Sequence, residues 1–365
     1  MADSKITIDK PPREKTGPVN WVISNLLTPW WNVILSVITL AMCFFAVQSF
    51  YSWAVKSAAF GSTPESCEGI DGACWSFVAD SIWLFLVGLY PAEERWRPIL
   101  CFLLLLLFVS TSYSFRNLLK IRSIVLLAIS GAIACGFLLY GHEWIGLSVV
   151  PTSKWGGLLL TLVLSIVGIA FAFPIGIILA LGRRSPNMPA VHVMCVGFIE
   201  FIRGVPLISI LFLTSILVPL FLPDGLEVDI LIRAQIGIIL FQAGYLAEVV
   251  RGGFQGLPTG QEEAAKSLGL NYWYTVIFIT LPQALKIALP SITNQFIIIV
   301  KDTSLVSIVG LFDLLGMAEL SIRNPKWLGT TFEAYIVVGL LYWILCFFIS
   351  HLSLKLEEHL ETDHT

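Results

Sequence analysis

Runs of apolar residues long enough to cross a bilayer recur through most of this chain, and they restrict its fold more than any other feature. A spanning helix needs about 20 such residues. Eight runs qualify: Val33 to Trp53, Ile99 to Tyr113, Ile124 to Tyr140, Gly157 to Leu181, Val191 to about Leu222, Leu231 to Val250, Ala284 to Val300, and Phe332 to about Leu352. The second is short and needs residues from either side. The fifth is too long for one straight crossing, and Gly204-Val205-Pro206 interrupts it near its middle. Pro174 and several glycines in the fourth predict a kink or close helix contact. Phe77 to Tyr90 is apolar but short and contains Asp80. It is read as lying on the membrane surface or packed on the protein, with Trp75 and Trp83 at the interface. Only 13% of residues are charged and 56% are hydrophobic, whereas a soluble domain carries about a quarter charged residues. The fold class is therefore all-α, a polytopic integral membrane protein with about eight transmembrane helices.

Between the sixth and seventh runs the chain turns polar, and the stretch Glu262 to Pro290 predicts a short helix followed by a return to the membrane. Thr259 stands three residues before Glu262, the spacing of a capping box. Glu262 and Glu263 fall in the first turn, where the helix dipole favours negative charge. Gly269 sits where a short helix needs a left-handed stop. Asn271 is placed to cap a second helix running through Trp273 and Ile277 to Pro282.

Glu263-Ala264-Ala265, then Gly269, then Ile279, Leu281 and Pro282 follow the spacing EAA, three residues, G, nine residues, I, one residue, LP. This pattern resembles the EAA signature of ABC importer permeases, in which the loop is a coupling helix that docks in a groove of the ATPase. Tyr245-Leu246-Ala247-Glu248-Val249-Val250-Arg251-Gly252-Gly253, Gly260-Gln261, Leu281-Pro282-Gln283-Ala284 and Lys301-Asp302-Thr303-Ser304-Leu305-Val306 are similar to the polar amino-acid uptake permeases. The long N-terminal region, Leu181-Gly182-Arg183-Arg184-Ser185 and Gly204-Val205-Pro206-Leu207 most resemble the general L-amino-acid permease subgroup.

The resemblance implies a type I ABC importer permease core over 156–356, with coupling helix 260–270. Glu262, Glu263, Ala264, Ala265, Leu268 and Gly269 would meet the ATPase. Ahead of the core lie a cytoplasmic tail over 1–32 and a three-helix extension with a periplasmic loop over 33–155; a cytoplasmic tail over 357–365 follows it. The implied partners are a second homologous permease subunit, an ATPase dimer that carries ATP and Mg, a periplasmic amino-acid-binding protein and an L-amino-acid substrate. The implied setting is the bacterial inner membrane.

Charge supports one orientation. With both termini in the cytoplasm, Lys5, Lys10, Arg13, Lys15, Arg116, Lys120, Arg122, Arg183, Arg184, Arg251, Lys266, Lys286 and Lys355 lie on inside segments. Lys56, Arg95, Arg97, Lys154, Arg233, Arg323 and Lys326 lie outside. The excess inside obeys the positive-inside rule. It puts the Glu263 loop on the side of ATP, and Cys67 and Cys74 on the side where disulfides persist. Cys67 and Cys74 share one polar loop and are read either as a disulfide or as two free thiols. The other five of the seven cysteines sit in apolar runs as packing residues.

No G-x-x-x-x-G-K-[ST] run is present, so ATP hydrolysis requires a separate subunit. No nucleophile–base signature, metal-ligand spacing or basic patch for nucleic acid occurs, and the protein is not read as an enzyme. His142, His192, His351, His359 and His364 lie mostly at span ends as solvated or interfacial residues. Asp224, Glu227 and Asp229 form an acidic outer loop, either solvated or meeting a binding protein.

Polar groups inside spans are expensive and tend to face a cavity or a partner. Glu200 and Arg203, three apart, can pair on one helix face. Gln242 and Glu248 lie on the sixth run, and Asn294, Gln295, Lys301, Asp302, Thr303 and Ser304 on the seventh. A zwitterionic amino acid needs donors for its carboxylate and acceptors for its ammonium, and broken helices near the midplane supply both. Arg203, Gln242, Asn294, Gln295, Lys301, Asp302, Thr303 and Ser304 are the substrate-site candidates. Against this, Lys301 and Asp302 would pair with Glu200 and Arg203 to hold helices together. Glu248 and Arg251 are read as salt-bridge partners at the cytoplasmic end. Two rival functions remain open at this point: an ion-coupled secondary transporter, and a membrane scaffold with no translocation path.

Overall fold

The computed structural model of the chain describes residues 17–362 apart from 62, 115–120, 186, 224 and 226. Lys5, Lys10, Arg13, Lys15, Arg116, Lys120, Asp224 and His364 lie outside the described residues. The chain divides into two compact units, Met1–Ser76 and Phe77–Thr365.

In the first unit, a short helix α1 (Pro18–Val22) precedes α2 (Trp30–Tyr51). No residue of α2 is buried, and its surface is predominantly apolar, as suits a helix in hydrocarbon. The following loop folds back on the end of that helix. Ala73 N–H donates to Trp53 O at 2.9 Å, and Trp75 Nε1 donates to Ala54 O at 2.7 Å. Cys67 and Cys74 are joined in a disulfide with Cα atoms 5.6 Å apart.

Helix α3 (Trp75–Val87) is the short apolar stretch. Phe77, Phe85 and Val87 are fully buried, so it is packed on protein. Its Asp80 accepts from Trp327 Nε1 at 2.8 Å and pairs with Lys326 at 3.4 Å. Helix α4 (Trp96–Ser114) takes in Arg97 and Pro98, which gives the short second run its missing turn. Arg97 is 1% exposed. It donates to Ser148 O at 2.8 Å and pairs with Glu94 at 2.8 Å, tying α4 to the loop after α5 (Ile121–Tyr140).

The remaining helices are α6 (Gly157–Arg184), α7 (Pro189–Gly204), α8 (Leu207–Leu220), α9 (Ile230–Gln255), α10 (Gly260–Ser267), α11 (Tyr272–Tyr274), α12 (Leu281–Asp302), α13 (Leu314–Ile322) and α14 (Thr331–Thr362). Among the described residues, seven helices are long and apolar enough to cross a membrane, and the α7–α8 pair makes an eighth when taken as one span. That pair is bent by 109° at the Gly204–Pro206 break. Asp313 caps α13 through the Gly316 N–H and accepts from the Tyr342 hydroxyl at 2.5 Å. Burial pushes its carboxyl above the usual carboxylate range.

One boundary differs from expectation. The helix does not end at Pro282, and the seventh span does not begin near Ala284. A π-type segment over Thr275–Thr280 joins α11 to α12, and the helical path continues unbroken. A proline lacks one N–H and crowds the preceding turn. The wider π turn in front of Pro282 accommodates both effects.

Helices α6, α9 and α12 form the centre of the second unit, with Leu164, Ile238, Leu246 and Ile299 fully buried among them. Lipid supplies no hydrophobic drive between helices, so close approach of small residues matters. A Cβ on Gly253 would lie 2.2 Å from Ala284 O, and one on Gly176 would lie 2.8 Å from Leu246 Cβ. We expect Gly253→Ala to push α9 and α12 apart and cost about 1–3 kcal/mol. The check is the thermal midpoint of the detergent-purified protein, and an unchanged midpoint would count against this packing.

Candidate functional site

The polar helix α10 is short because Gly269 stops it. Gly269 has φ +77°, the left-handed conformation that glycine adopts freely. Its N–H donates to Lys266 O, and Leu270 N–H donates to Ala265 O. Asn271 then caps the next turn, its side chain accepting from Tyr274 N–H at 2.9 Å. The expected capping box at the other end does not form. Thr259 is already in right-handed helical conformation and its side chain caps nothing. The Glu262 carboxylate goes to Arg184 instead.

Two polar tethers hold α10. Arg184 at the end of α6 pairs with Glu262, and its guanidinium lies 4.6 Å from the centre of the Phe254 ring. Gln261 and Gln283 exchange amide hydrogen bonds of 2.9 and 2.8 Å, which ties α10 to the start of α12. Ala265 is buried on that side. Glu263, Ala264, Leu268 and Gly269 are exposed on the other, Leu268 by 80%. The helix thus has an anchored face and a free face.

Beside the Arg184 tether lies a cluster centred on Glu248. Its carboxylate pairs with Arg183 at 2.5 Å, Arg251 at 2.7 Å and Arg203 at 3.6 Å. Arg183 also reaches Glu200 at 3.1 Å. Glu248 is 13% exposed, so these pairs are less screened than surface ones. The expected Glu200–Arg203 pair is not made. Arg183 enters from α6 and takes Glu200, and Arg203 turns to Glu248 on α9. Glu248 and Arg251 do form a salt bridge, at the i,i+3 spacing that made the pair visible in the sequence.

A second polar feature crosses the α9–α12 interface. Gln295 Nε2 donates to Gln242 Oε1 at 2.5 Å, and Gln242 Nε2 donates to Asp302 Oδ2 at 2.7 Å. Gln242 is fully buried and Gln295 nearly so. Asp302 ends α12, and the backbone tightens into a 3₁₀ turn over Thr303–Val309. Thr303 is buried with its hydroxyl on Val300 O; the Ser304 hydroxyl goes to Lys301 O. Of the eight substrate-site candidates, the fold brings together Gln242, Gln295 and Asp302, with Thr303 next in the chain. Arg203 belongs to the Glu248 cluster. Asn294 and Lys301 are exposed, and Lys301 enters no ion pair among the described residues. The alternative in which Lys301 and Asp302 pair with Glu200 and Arg203 is not realised. Asp302 is engaged by Gln242, and both charges of the other pair are used elsewhere.

Sequence reasoning missed Arg184 as the partner of α10. Arg183 and Arg184 served as topology charges and as part of the Leu181–Ser185 motif, not as contacts. The long apolar run before them gave no sign that they would meet residues about 65 and 78 positions later.

Comparison with known proteins gives a consistent picture. The family described as "Binding-protein-dependent transport system inner membrane component" matches residues 172–360. The chain is 44% identical to the Escherichia coli "Inner membrane amino-acid ABC transporter permease protein YhdY", over 99% of both chains. It is 34% identical to the Rhodobacter capsulatus "Glutamate/glutamine/aspartate/asparagine transport system permease protein BztC", over 97% of this chain and 96% of that one. A shorter relative, the Bacillus subtilis "Probable glutamine ABC transporter permease protein GlnP", is 32% identical over 56% of this chain and 91% of its own length.

Proposed function

This chain belongs to the binding-protein-dependent transport system inner membrane components, and we propose that it is the L-amino-acid permease of an ABC importer whose ATPase grips helix α10. The protein is a multi-pass component of the inner membrane; the ATPase is a separate subunit. The proposed assembly contains a second homologous permease subunit, two ATPase copies carrying ATP and Mg, and a periplasmic amino-acid-binding protein. Both termini and α10 face the cytoplasm. The core over 156–356 carries transport, preceded by the extension over 33–155.

One observation carries this reading: α10 is anchored through Glu262, Gln261 and Ala265 and leaves Glu263, Ala264, Leu268 and Gly269 uncovered. An exposed Leu268 on an otherwise polar helix suits a protein groove. ATP-driven closure of the ATPase pair displaces α10, and the spans re-pack around a site between α9 and α12. The ligand must bind the two states unequally for that cycle to run. The Gln295–Gln242–Asp302 string supplies a fixed carboxylate for the substrate ammonium, and the change from α to 3₁₀ turn at Thr303 supplies carbonyl acceptors. The names of the two full-length relatives support an amino acid as cargo.

The test is uptake into proteoliposomes holding the assembled complex. Accumulation of labelled amino acid should require internal ATP and the binding protein, and unlabelled amino acids should compete. Uptake driven by an ion gradient without ATPase would reject the reading.

A further inference from the structure

We propose that Arg183 and Arg184 are positioning residues that carry the motion of α10 to the bent α7–α8 pair; this rests on the reading that α10 is the helix gripped by the ATPase. The two residues are adjacent at the end of α6, so their side chains diverge around the helix. Arg184 goes to Glu262 of α10 and lies over Phe254 of α9. Arg183 goes to Glu200 on α7 and Glu248 on α9. One rigid helix end is therefore held by the motor-facing helix on one side and by the charge cluster on the other.

That cluster sits where a displacement has most leverage. Arg203 is the next-to-last residue of α7, one residue before the break begins at Gly204, and it is held by Glu248. Beyond the break the chain turns through 109° into α8. A pull on Glu262 moves the end of α6, Arg183 moves with it, and Glu200 and Glu248 are displaced relative to Arg203.

The cluster can re-pair without leaving a buried charge bare. If Arg183 withdraws, the 13%-exposed Glu248 keeps Arg251 and Arg203. Glu200, 55% exposed, is left to water, where an ion pair contributes little. The arrangement thus allows a second pairing in which the Glu248 carboxylate is still met by two arginines, as a switching element needs. Gln261–Gln283 tethers α10 separately to α12, so loss of the arginine path need not release α10.

The experiment measures amino acid transported per ATP hydrolysed in the reconstituted full transporter. Arg184→Glu should retain the ATPase subunits and hydrolyse ATP but lower this ratio about tenfold, within the usual range of coupling between distant sites. The exchange Arg184→Glu with Glu262→Arg should restore it. A wild-type ratio in Arg184→Glu, or a low ratio persisting in the exchange, overturns the proposal. Should Arg184→Glu fail to accumulate, Arg184→Gln takes its place: a reduced ratio supports the relay and a wild-type ratio overturns it. Glu263→Lys separates this inference from its premise. If that variant keeps the ATPase and transports normally, the docking reading itself fails. If it uncouples while Arg184→Glu does not, only the relay fails.

Discussion

Glu263→Lys is expected to reach the membrane in normal amount and fold normally, yet to lose the ATPase and, with it, more than about nine-tenths of uptake, a coupling loss within the usual range. The Glu263 carboxylate is exposed and enters none of the ion pairs among the described residues. Lysine and glutamate have similar helix propensity. Reversing the charge in the first turn costs about 0.3–1 kcal/mol through the helix dipole. The change is small for the fold, so a large loss of transport must come from a partner on the free face. Gly269→Pro reaches the same end by geometry. Proline fixes φ near −65°, whereas Gly269 holds φ +77° and donates its N–H to Lys266 O at 2.9 Å. The chain would leave α10 in another direction, and Leu268 would be re-aimed. Membrane quantity, ATPase co-purification and uptake are the three measurements. Wild-type uptake in either variant counts against the coupling role.

The second large effect belongs to Asp302. In Asp302→Ala the buried Gln242 amide loses its acceptor, at a cost of about 1–3 kcal/mol. Uptake should fall, while the ATPase stays bound because α10 is untouched. Asp302→Asn divides the two roles of the carboxylate. Its side-chain oxygen can still accept from Gln242, so the α9–α12 tie survives, but the charge proposed to meet a substrate ammonium is gone. Asp302→Asn should therefore keep near-normal stability and raise the KM for uptake about tenfold or more, since one charged hydrogen bond contributes about 1.5–3 kcal/mol. An unchanged KM would assign the string to helix packing alone.

How far the sequence led depends on the range of the forces involved. The left-handed stop at Gly269 and the Asn271 cap were legible because each is fixed within a few residues. The Gly204–Pro206 break was legible from local chemistry, but its 109° angle was not, since packing on both sides sets it. The capping box failed because Arg184, far away in sequence, takes the Glu262 carboxylate. The predicted stop at Pro282 failed because a π turn ahead of it absorbs the missing N–H. The candidate substrate residues were singled out as costly polar groups within apolar runs. Only the folded chain sorts them into a buried string, an arginine cluster and two exposed side chains.

Position 268 offers the most direct test of the central claim, that the free face of α10 meets the ATPase from the cytoplasm. A photo-activatable amino acid placed there, in the complete transporter in native membranes, should cross-link to the ATPase subunit. Membrane-impermeant reagents added from the periplasmic side should not reach a cysteine at the same position. Labelling from outside, or transport-competent complexes that give no ATPase adduct, would contradict the account.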